Sequence, residues 1–234
     1  MSDEPTIGLL EAIHSTRAIR RFKPDPIPED VLWSILDAAI RGPTGANRQN
    51  WGWVVVQDPE AKRKIAVWFK QEYDNTYGRV DESTLTDTGR IQSGTYTINE
   101  EINYGLTAQN YRAVRHLAHN LQDAPVIVFP CLFGGPGSRR PGRNPRRAGA
   151  SIFGGVQNMM LAARAYGVGS VITGWAVDMP ELHELLNLPE GYEPMALVPM
   201  GYPTVPFSQP QRIPVDEVTH WDRWGEQHER PAQA

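Results

Sequence analysis

Cysteine is almost absent from this chain. Cys131 is the only one, so an internal disulfide is impossible and a cysteine-built zinc site is excluded. That usage suits a reducing compartment, and a cytoplasmic location is the expectation. Long apolar runs are also missing: none approaches the roughly 20 residues that cross a bilayer, so no membrane partner is expected. The first residues, Met1-Ser2-Asp3-Glu4-Pro5, have neither the basic nor the apolar region of a secretory signal. Positive charge is not in excess. A formal net charge of -4 argues against nucleic acid as a partner for the chain as a whole. There is no internal repeat.

Familiar site signatures are lacking too. Gly135-Pro136-Gly137 follows a strand-like run, but proline interrupts it and no helix opens there with dinucleotide-binding glycine spacing. No phosphate-cradling loop ends in Lys-Ser/Thr, and no Gly-x-Ser-x-Gly elbow is present, which weakens a hydrolase reading. His116 and His119 are three apart on a predicted helix without an evident further ligand. They read as surface or packing histidines, and no metal is expected.

What is present suits a globular protein. The chain has 234 residues, 40% hydrophobic and 21% charged, enough to bury a full core. Leu9, Leu10 and Ile13 give a short helix ending before Arg17, and three prolines from Pro24 to Pro28 extend the chain beyond it. Val31, Leu32, Ile35, Leu36, Ala39 and Ile40 repeat at helical spacing, and Gly42-Pro43 stops that helix. Strands are predicted at 51–57, 126–133, 170–176 and 195–200. Helices are predicted from Asp58-Pro59 to Lys70 and at 100–121, 150–166 and 181–186. The helix at 150–166 is apolar and rich in small residues, so burial almost all round is expected. Residues 71–99 are polar and read as a long mobile excursion.

Two segments carry chemistry. Thr16-Arg17-Ala18-Ile19-Arg20-Arg21-Phe22 gathers three guanidinium groups at the foot of a helix, where planar forks bind a phosphate dianion well. By alternation, two can face a ligand and one solvent; alone, the stretch equally suits a solvated basic face. Gly42-Pro43-Thr44-Gly45-Ala46-Asn47-Arg48-Gln49-Asn50-Trp51 is a turn that exposes backbone N–H groups before a strand. Alone, it equally suits an ordinary helix stop.

In order, these two segments resemble the nitroreductase family of FMN-dependent NAD(P)H oxidoreductases. The resemblance continues through Ala150-Ser151 and the helix Val156–Ala163, then Gly167–Gly174, Met200–Pro203, and Arg212 to Trp224. It implies an α+β fold, a mostly antiparallel sheet flanked by helices, as a single FMN-binding domain over residues 1–234. It also implies an intertwined two-fold homodimer, with a lid-like excursion near 71–111 and a C-terminal tail from about 203 wrapping the partner. An apolar helix at 150–166 agrees with such a dimer, and equally with the core of a monomer.

Residue by residue, the resemblance places Thr16, Arg17 and Ala18 at the FMN phosphate and ribityl chain. Arg20 falls at the flavin N1–C2=O2 edge, where it stabilises negative charge. Pro43, Thr44, Gly45 and Asn47 match a strip reaching the flavin from the other subunit, with Gln49 as a contact or a turn-fixing residue. Ser151 sits near the cofactor. Ile172, Thr173 and Gly174 pack against the ring, the Gly174 N–H facing N5, and Arg212 closes on the phosphate. Three departures stand out: Ala18 where many relatives have Ser, Thr16 for a frequent basic residue, and Asn50 for a frequent Pro.

The implied activity is ping-pong. NADPH or NADH passes hydride to flavin N5, and a nitroaromatic or quinone-like acceptor then takes the electrons. The cofactor carries the chemistry, so no side chain is named as a catalytic acid or base. Tyr73, Tyr77, Tyr96, Tyr104 and Tyr111 are candidates to stack on a flat acceptor or to pack the excursion. Residues 138–147 hold five arginines in ten residues, which reads as a 2′-phosphate site for NADPH or as a solvated basic loop. The alternatives are a reductive dehalogenase or a flavin-fragmenting enzyme of the same fold, or a non-enzymatic flavin-binding protein.

Overall fold

The longest strand among the described residues is apolar on both faces, and the sheet is built around it. In the computed structural model, which describes residues 4–85, 107–134, 145–210 and 212–231 (without the side chains of 145–147), strand β2 spans Val126–Phe133. Its residues are buried up to Leu132, which is why the sequence there does not alternate. β1 (Trp51–Val56) pairs antiparallel along one side of it, from Trp51 opposite Leu132 to Val56 opposite Ile127. β4 (Tyr192–Pro194) and β5 (Val198–Gly201) pair antiparallel with its two halves. The two-residue β3 (Gly169–Ser170) joins β5, so the five-stranded sheet has the order β1-β2-β5-β3 with β4 paired to β2 off that path.

The register slips by one residue between β5 and β4. Val128 faces Val198, whereas Cys131 faces Pro194. The extra residue is a bulge beside Pro130, a central-strand proline with no N–H to donate. Met195 N–H donates to the Pro130 carbonyl at 2.8 Å, and Leu197 turns away to exchange two backbone hydrogen bonds with Thr173 (3.0 and 2.8 Å). The sequence predicts one strand over 195–200 and another over 170–176. The bulge divides the first, and β3 gives way after Ser170 to a looped segment held at Thr173.

Helix α1 spans Leu9–Ser15, α2 Glu29–Ala39, α3 Pro59–Tyr77 and α4 Ala108–Asn120. They are followed by α5 (Pro145–Ala150), α6 (Phe153–Ala165) and α7 (Pro180–Leu185). α3 opens with Pro59 at its first position and the Asp58 carboxylate accepting the Ala61 N–H at 2.8 Å. It runs seven residues past Lys70, so 71–77 is helix rather than the predicted excursion. The core joins Val31, Leu32 and Ile35 of α2 with Val156, Met159 and Met160 of α6 and the apolar side chains of β2 and β5. α6 is not buried all round: Phe153 and Gln157 are exposed. At its end Gly167 adopts φ +73° while Val168 N–H reaches back to the Ala163 carbonyl at 2.8 Å, a glycine cap of the expected kind.

Two compact units are present. The larger comprises residues 1–80 and 113–209 and contains the sheet. The smaller comprises 81–112 and 210–234. Within it Arg112 Nε donates to Glu82 at 2.6 Å, and the Trp221 and His228 rings stack 4.6 Å apart. Tyr96, Tyr104 and Arg139, Arg140 and Arg143 fall outside the described residues. No helix among the described residues is long and apolar enough to cross a membrane.

α2 meets α6 through glycine. A Cβ on Gly42 would lie 2.4 Å from the Gly155 nitrogen, and one on Gly155 would lie 2.6 Å from the Ala39 carbonyl oxygen. Backbone, not a yielding side chain, occupies both spaces. Gly42→Ala should therefore destabilise the protein by about 1–3 kcal/mol, a Tm fall of several degrees at this chain length. Gly45→Ala, with open space around the same position, should shift Tm by about a degree or less in the same melt.

Candidate functional site

Residues 16–23 form an extended strip held on both sides. Thr16 ends α1 by directing its N–H (2.9 Å) and its hydroxyl (2.6 Å) to the Ala12 carbonyl. Thr16 thus serves the helix end. Ala18 then bridges in parallel to Ser170, and Ile19 N–H donates to the Ser170 carbonyl at 2.9 Å. The Ile19 side chain is fully buried against Gly169, where a Cβ would lie 2.7 Å from the Ile19 Cγ2. On the other side Lys23 N–H donates to the Tyr202 carbonyl (2.7 Å) and Thr204 N–H to the Arg21 carbonyl (3.1 Å).

The three arginines divide unequally. Arg21 donates to His116 Nδ1 at 2.9 Å. Burial, then the Arg21 charge, hold His116 below its ordinary pKa against the opposing pull of Asp123, so the ring is a neutral acceptor. Arg17 Nη2 donates to the Pro206 carbonyl at 2.9 Å, but its Nε is buried with no partner. Arg20 has no hydrogen bond or ion pair among the described residues. Burial lowers its pKa most, the nearby Tyr77 raises it, and Arg17 lowers it again. A desolvated Arg20 repelled by Arg17, together with the orphaned Arg17 Nε–H, is chemistry suited to an anion with several acceptor oxygens.

Beyond β3 the chain presents backbone. Thr173 is pinned to Leu197, and its hydroxyl accepts the Trp175 N–H at 3.3 Å. Gly174 is exposed, has nothing within 4 Å of where a Cβ would stand, and directs its N–H at no described residue. Ile172 is also exposed. Trp175 follows, with its ring 5.2 Å from Phe69, 6.2 Å from Tyr73 and 5.7 Å from Tyr77. Tyr73 is only 3% exposed and lies edge-on to His119 as well, so it packs the core rather than roofing a substrate. Tyr77, half-buried, is the member of the cluster that interacts with Arg20.

The turn Pro43–Gln49 is a separate structure. Asn47 N–H donates to the Thr44 carbonyl (3.0 Å), and Gln49 N–H to the Thr44 hydroxyl (3.1 Å). Ala46, Asn47 and Gln49 all take positive φ near 50°. Gln49 thus fixes the turn, and its side chain adds a 3.4 Å bond to the Asn47 carbonyl. Asn50 grips Phe133 through its side-chain amide (2.9 Å) and its own carbonyl (2.8 Å), prolonging the β1–β2 ladder.

This turn packs on the first turn of α6, with Pro43 Cδ 2.9 Å from a Cβ placed on Gly154. Half-buried Ser151 lies just before that helix. The arginine strip instead adjoins the last turn of α6, where Arg164 Nε donates to Ser15 Oγ at 2.8 Å. From Gly154 to Arg164 a helix advances about 15 Å. One chain therefore gathers Thr16, Arg17, Ala18 and Arg20 with the segment running on to Ile172, Thr173 and Gly174. It sets Pro43, Thr44, Gly45, Asn47, Gln49 and Ser151 toward the other end of α6. Arg212 is exposed in the smaller unit. Trp175, Arg164 and the Pro206 carbonyl escaped the sequence reading; of these, only Trp175, directly after Gly174, carried a visible signal.

The model of the nitroreductase family matches residues 13–202. The chain is 29% identical to an NADH dehydrogenase of Thermus thermophilus, over 93% of this chain and 97% of that protein. It is 28% identical to the iodotyrosine deiodinase of Drosophila melanogaster, over 83% of this chain and 62% of the longer fly protein. Its fold is similar to that of a nitroreductase with bound FMN from Desulfitobacterium hafniense. There the TM-score is 0.63 at 19% identity, over 95% of this chain and all of the other. It is also similar to an oxidised iodotyrosine deiodinase bound to FMN and 3-iodo-L-tyrosine, with a TM-score of 0.67 at 22% identity, over 93% and 100% of the two chains.

An anion site of this kind should respond to phosphate before any larger ligand is tried. Inorganic phosphate at constant ionic strength should raise Tm by roughly 2–4 °C, about 1 kcal/mol. Arg17→Gln and Arg20→Gln should each abolish most of that rise, while neither lowers Tm without phosphate. Equal phosphate effects in wild type and both variants would remove the site. The pair Arg21–His116 should add an acid sensitivity. Because the folded pKa of His116 is depressed, its contribution to stability is present above the ordinary histidine range, near pH 6.5, and is lost as pH falls through the lower folded value. His116→Asn should flatten the decline of Tm as pH falls below about 6.5.

Proposed function

The chain belongs to the nitroreductase family, and we propose that within it this protein is an FMN-dependent NAD(P)H oxidoreductase that reduces nitroaromatic or quinone-like acceptors. The observation that carries the reading is the pair of unneutralised, partly buried arginines, Arg17 and Arg20, on a strip fixed to β3, with the unpartnered N–H of Gly174 on the segment leaving that strand. A phosphorylated, flat, redox-active ligand needs those groups together.

The residues fit FMN. Arg17 would hold the phosphate with its free Nε–H, assisted by the strip at Thr16 and Ala18. Arg20, charged and desolvated, would stabilise negative charge at the pyrimidine edge of the ring. The Gly174 N–H would donate to N5, and Ile172 and Thr173 would line that side. When bound, FMN supplies the hydride and electron chemistry between a nicotinamide donor and an acceptor. No proton donor among the side chains is required by this assignment. Cys131 takes no part: it is buried, and burial pushes its thiol up to about 12.

A homodimer completes the site. Pro43, Thr44, Gly45, Asn47 and Ser151 stand toward the far end of α6 from Arg17, so they serve a cofactor on a second copy more readily than their own. A two-fold arrangement also gives a use to the aromatic side chains of the segment beyond residue 210, which would wrap the partner. Trp224 there is 90% exposed. Light scattering on the purified protein should give twice the mass of one chain.

One observation favours a second reading, reductive dehalogenation of an aromatic amino acid: the 28% identity to a deiodinase is close to the 29% shared with the NADH dehydrogenase. The deciding experiment is an anaerobic visible spectrum. The flavin bands should bleach with NADPH or NADH and recover on adding a nitroaromatic or a quinone. Recovery with 3-iodotyrosine and release of iodide, but none with the nitroaromatic, would move the assignment to dehalogenation. Flavin that neither donor bleaches would leave a carrier, and FMN lost on exposing its reduced form to air would indicate fragmentation. Arg20→Gln should slow bleaching by the nicotinamide roughly tenfold, about 1.4 kcal/mol of barrier, with FMN still bound.

A further inference from the structure

Arg17 is held at Pro206 and by the backbone that follows Ser15, and one buried side chain grips both places. Arg164, on the last turn of α6, has only 12% of its side chain exposed. Its Nε donates to Ser15 Oγ at 2.8 Å. Ser15 Oγ in turn donates to the Glu11 carbonyl at 2.6 Å, and Arg164 Nη2 lies 3.8 Å from the Glu11 carboxylate. The guanidinium carbon also lies over the Phe207 ring, 4.0 Å from its centroid. Ser15 is two residues before Arg17. Phe207 is the residue after Pro206, whose carbonyl accepts Arg17 Nη2.

We propose that Arg164 is a positioning residue for the phosphate-binding arginine, fixing Arg17 from both sides without touching the ligand. The proposal rests on the FMN reading above. Arg164 clamps the end of α1 from which Arg17 projects, and it clamps the 206–207 segment that orients the Arg17 fork. The choice of arginine follows from those two tasks. A planar guanidinium can donate in its plane to Ser15 while stacking its face on Phe207. Lysine can donate, but it cannot do both at once. Released from the clamp, Arg17 would turn its Nε–H and Nη2–H groups to water or to other carbonyls. The part of FMN binding that depends on those donors would fall, while binding of the ring would not.

The ligand's own phosphate separates positioning from general support of the fold. Affinities for FMN and for riboflavin, which lacks the phosphate, are measured by flavin fluorescence quenching on wild type, Arg164→Met, Arg164→Lys and Arg17→Gln. Wild type should prefer FMN. Arg164→Met should weaken FMN roughly tenfold and riboflavin less than twofold, with Arg164→Lys recovering part of the loss. Adding Arg164→Met to Arg17→Gln should cost little more, because both remove the same interaction. Should Arg164→Met fail to fold, Ser15→Ala and Phe207→Leu each cut one arm of the clamp and should each give a smaller loss confined to FMN. Equal loss of FMN and riboflavin, or full additivity with Arg17→Gln, would overturn the proposal and leave Arg164 a structural residue. A wild type that binds FMN and riboflavin alike would instead overturn the phosphate reading itself, and the proposal with it.

Discussion

The Ile19–Ser170 backbone hydrogen bond, with the Ile19 side chain seated on Gly169, is the constraint on which the site depends. It fixes an irregular strip to the edge of a sheet. A flexible strip with several arginines would bind a phosphate poorly, because each guanidinium would have to be ordered on binding. Here the ordering is done during folding. Buried Ile19 anchors the middle of the strip, and residues 202–204 hold its far end. Arg20 is thereby kept where burial disfavours its charge and where Arg17 repels it. The fold tolerates this local cost because β2 and the glycine-packed α2–α6 contact supply stability elsewhere.

The sheet's irregularities serve the same end. Pro130 interrupts the donor pattern of β2 and the opposing strand bulges, while Leu197 pairs on its other side with Thr173, in the register that Gly169 and Ser170 set with β5. Beyond that pair the exposed Gly174 N–H meets no described residue. Sequence periodicity reads 170–176 as a strand because Val171, Ile172 and Thr173 have strand propensity. Which of these residues pair is set by Met200 and Leu197, far along the chain, which local propensity does not encode.

The same distinction marks what was legible elsewhere. β2, α2 and the glycine stop at Gly167 were evident, since each is written in adjacent residues: an unbroken apolar run, a helical repeat, a glycine after the last apolar turn. The extension of α3 was not, because Gln71, Glu72, Asp74, Asn75 and Thr76 are polar and conceal Tyr73 and Tyr77, which pack on Trp175. At the site, the arginines and Gly174 were visible by type and spacing. Their division of labour was not. It takes His116 to occupy Arg21, and the Pro206 carbonyl to engage one end of Arg17, before Arg17 Nε and Arg20 are left over. Each of those partners lies some 95 or more residues away.

Charge, finally, is distributed rather than accumulated. The chain as a whole is acidic, at -4, so its field would not steer an anion to it from a distance. Recognition must instead come at contact, from a few cations left unneutralised by the fold. Surface arginines such as Arg41 and Arg63 are matched to Asp37 and Glu60 one helical turn away. Arg17 and Arg20 have no such neighbour on their strip, where Ala18 and Ile19 separate them. The sequence places acids beside the surface arginines and apolar residues between Arg17 and Arg20. That contrast, more than the number of arginines, is the ground for proposing residues 16–22 as a site rather than a basic face.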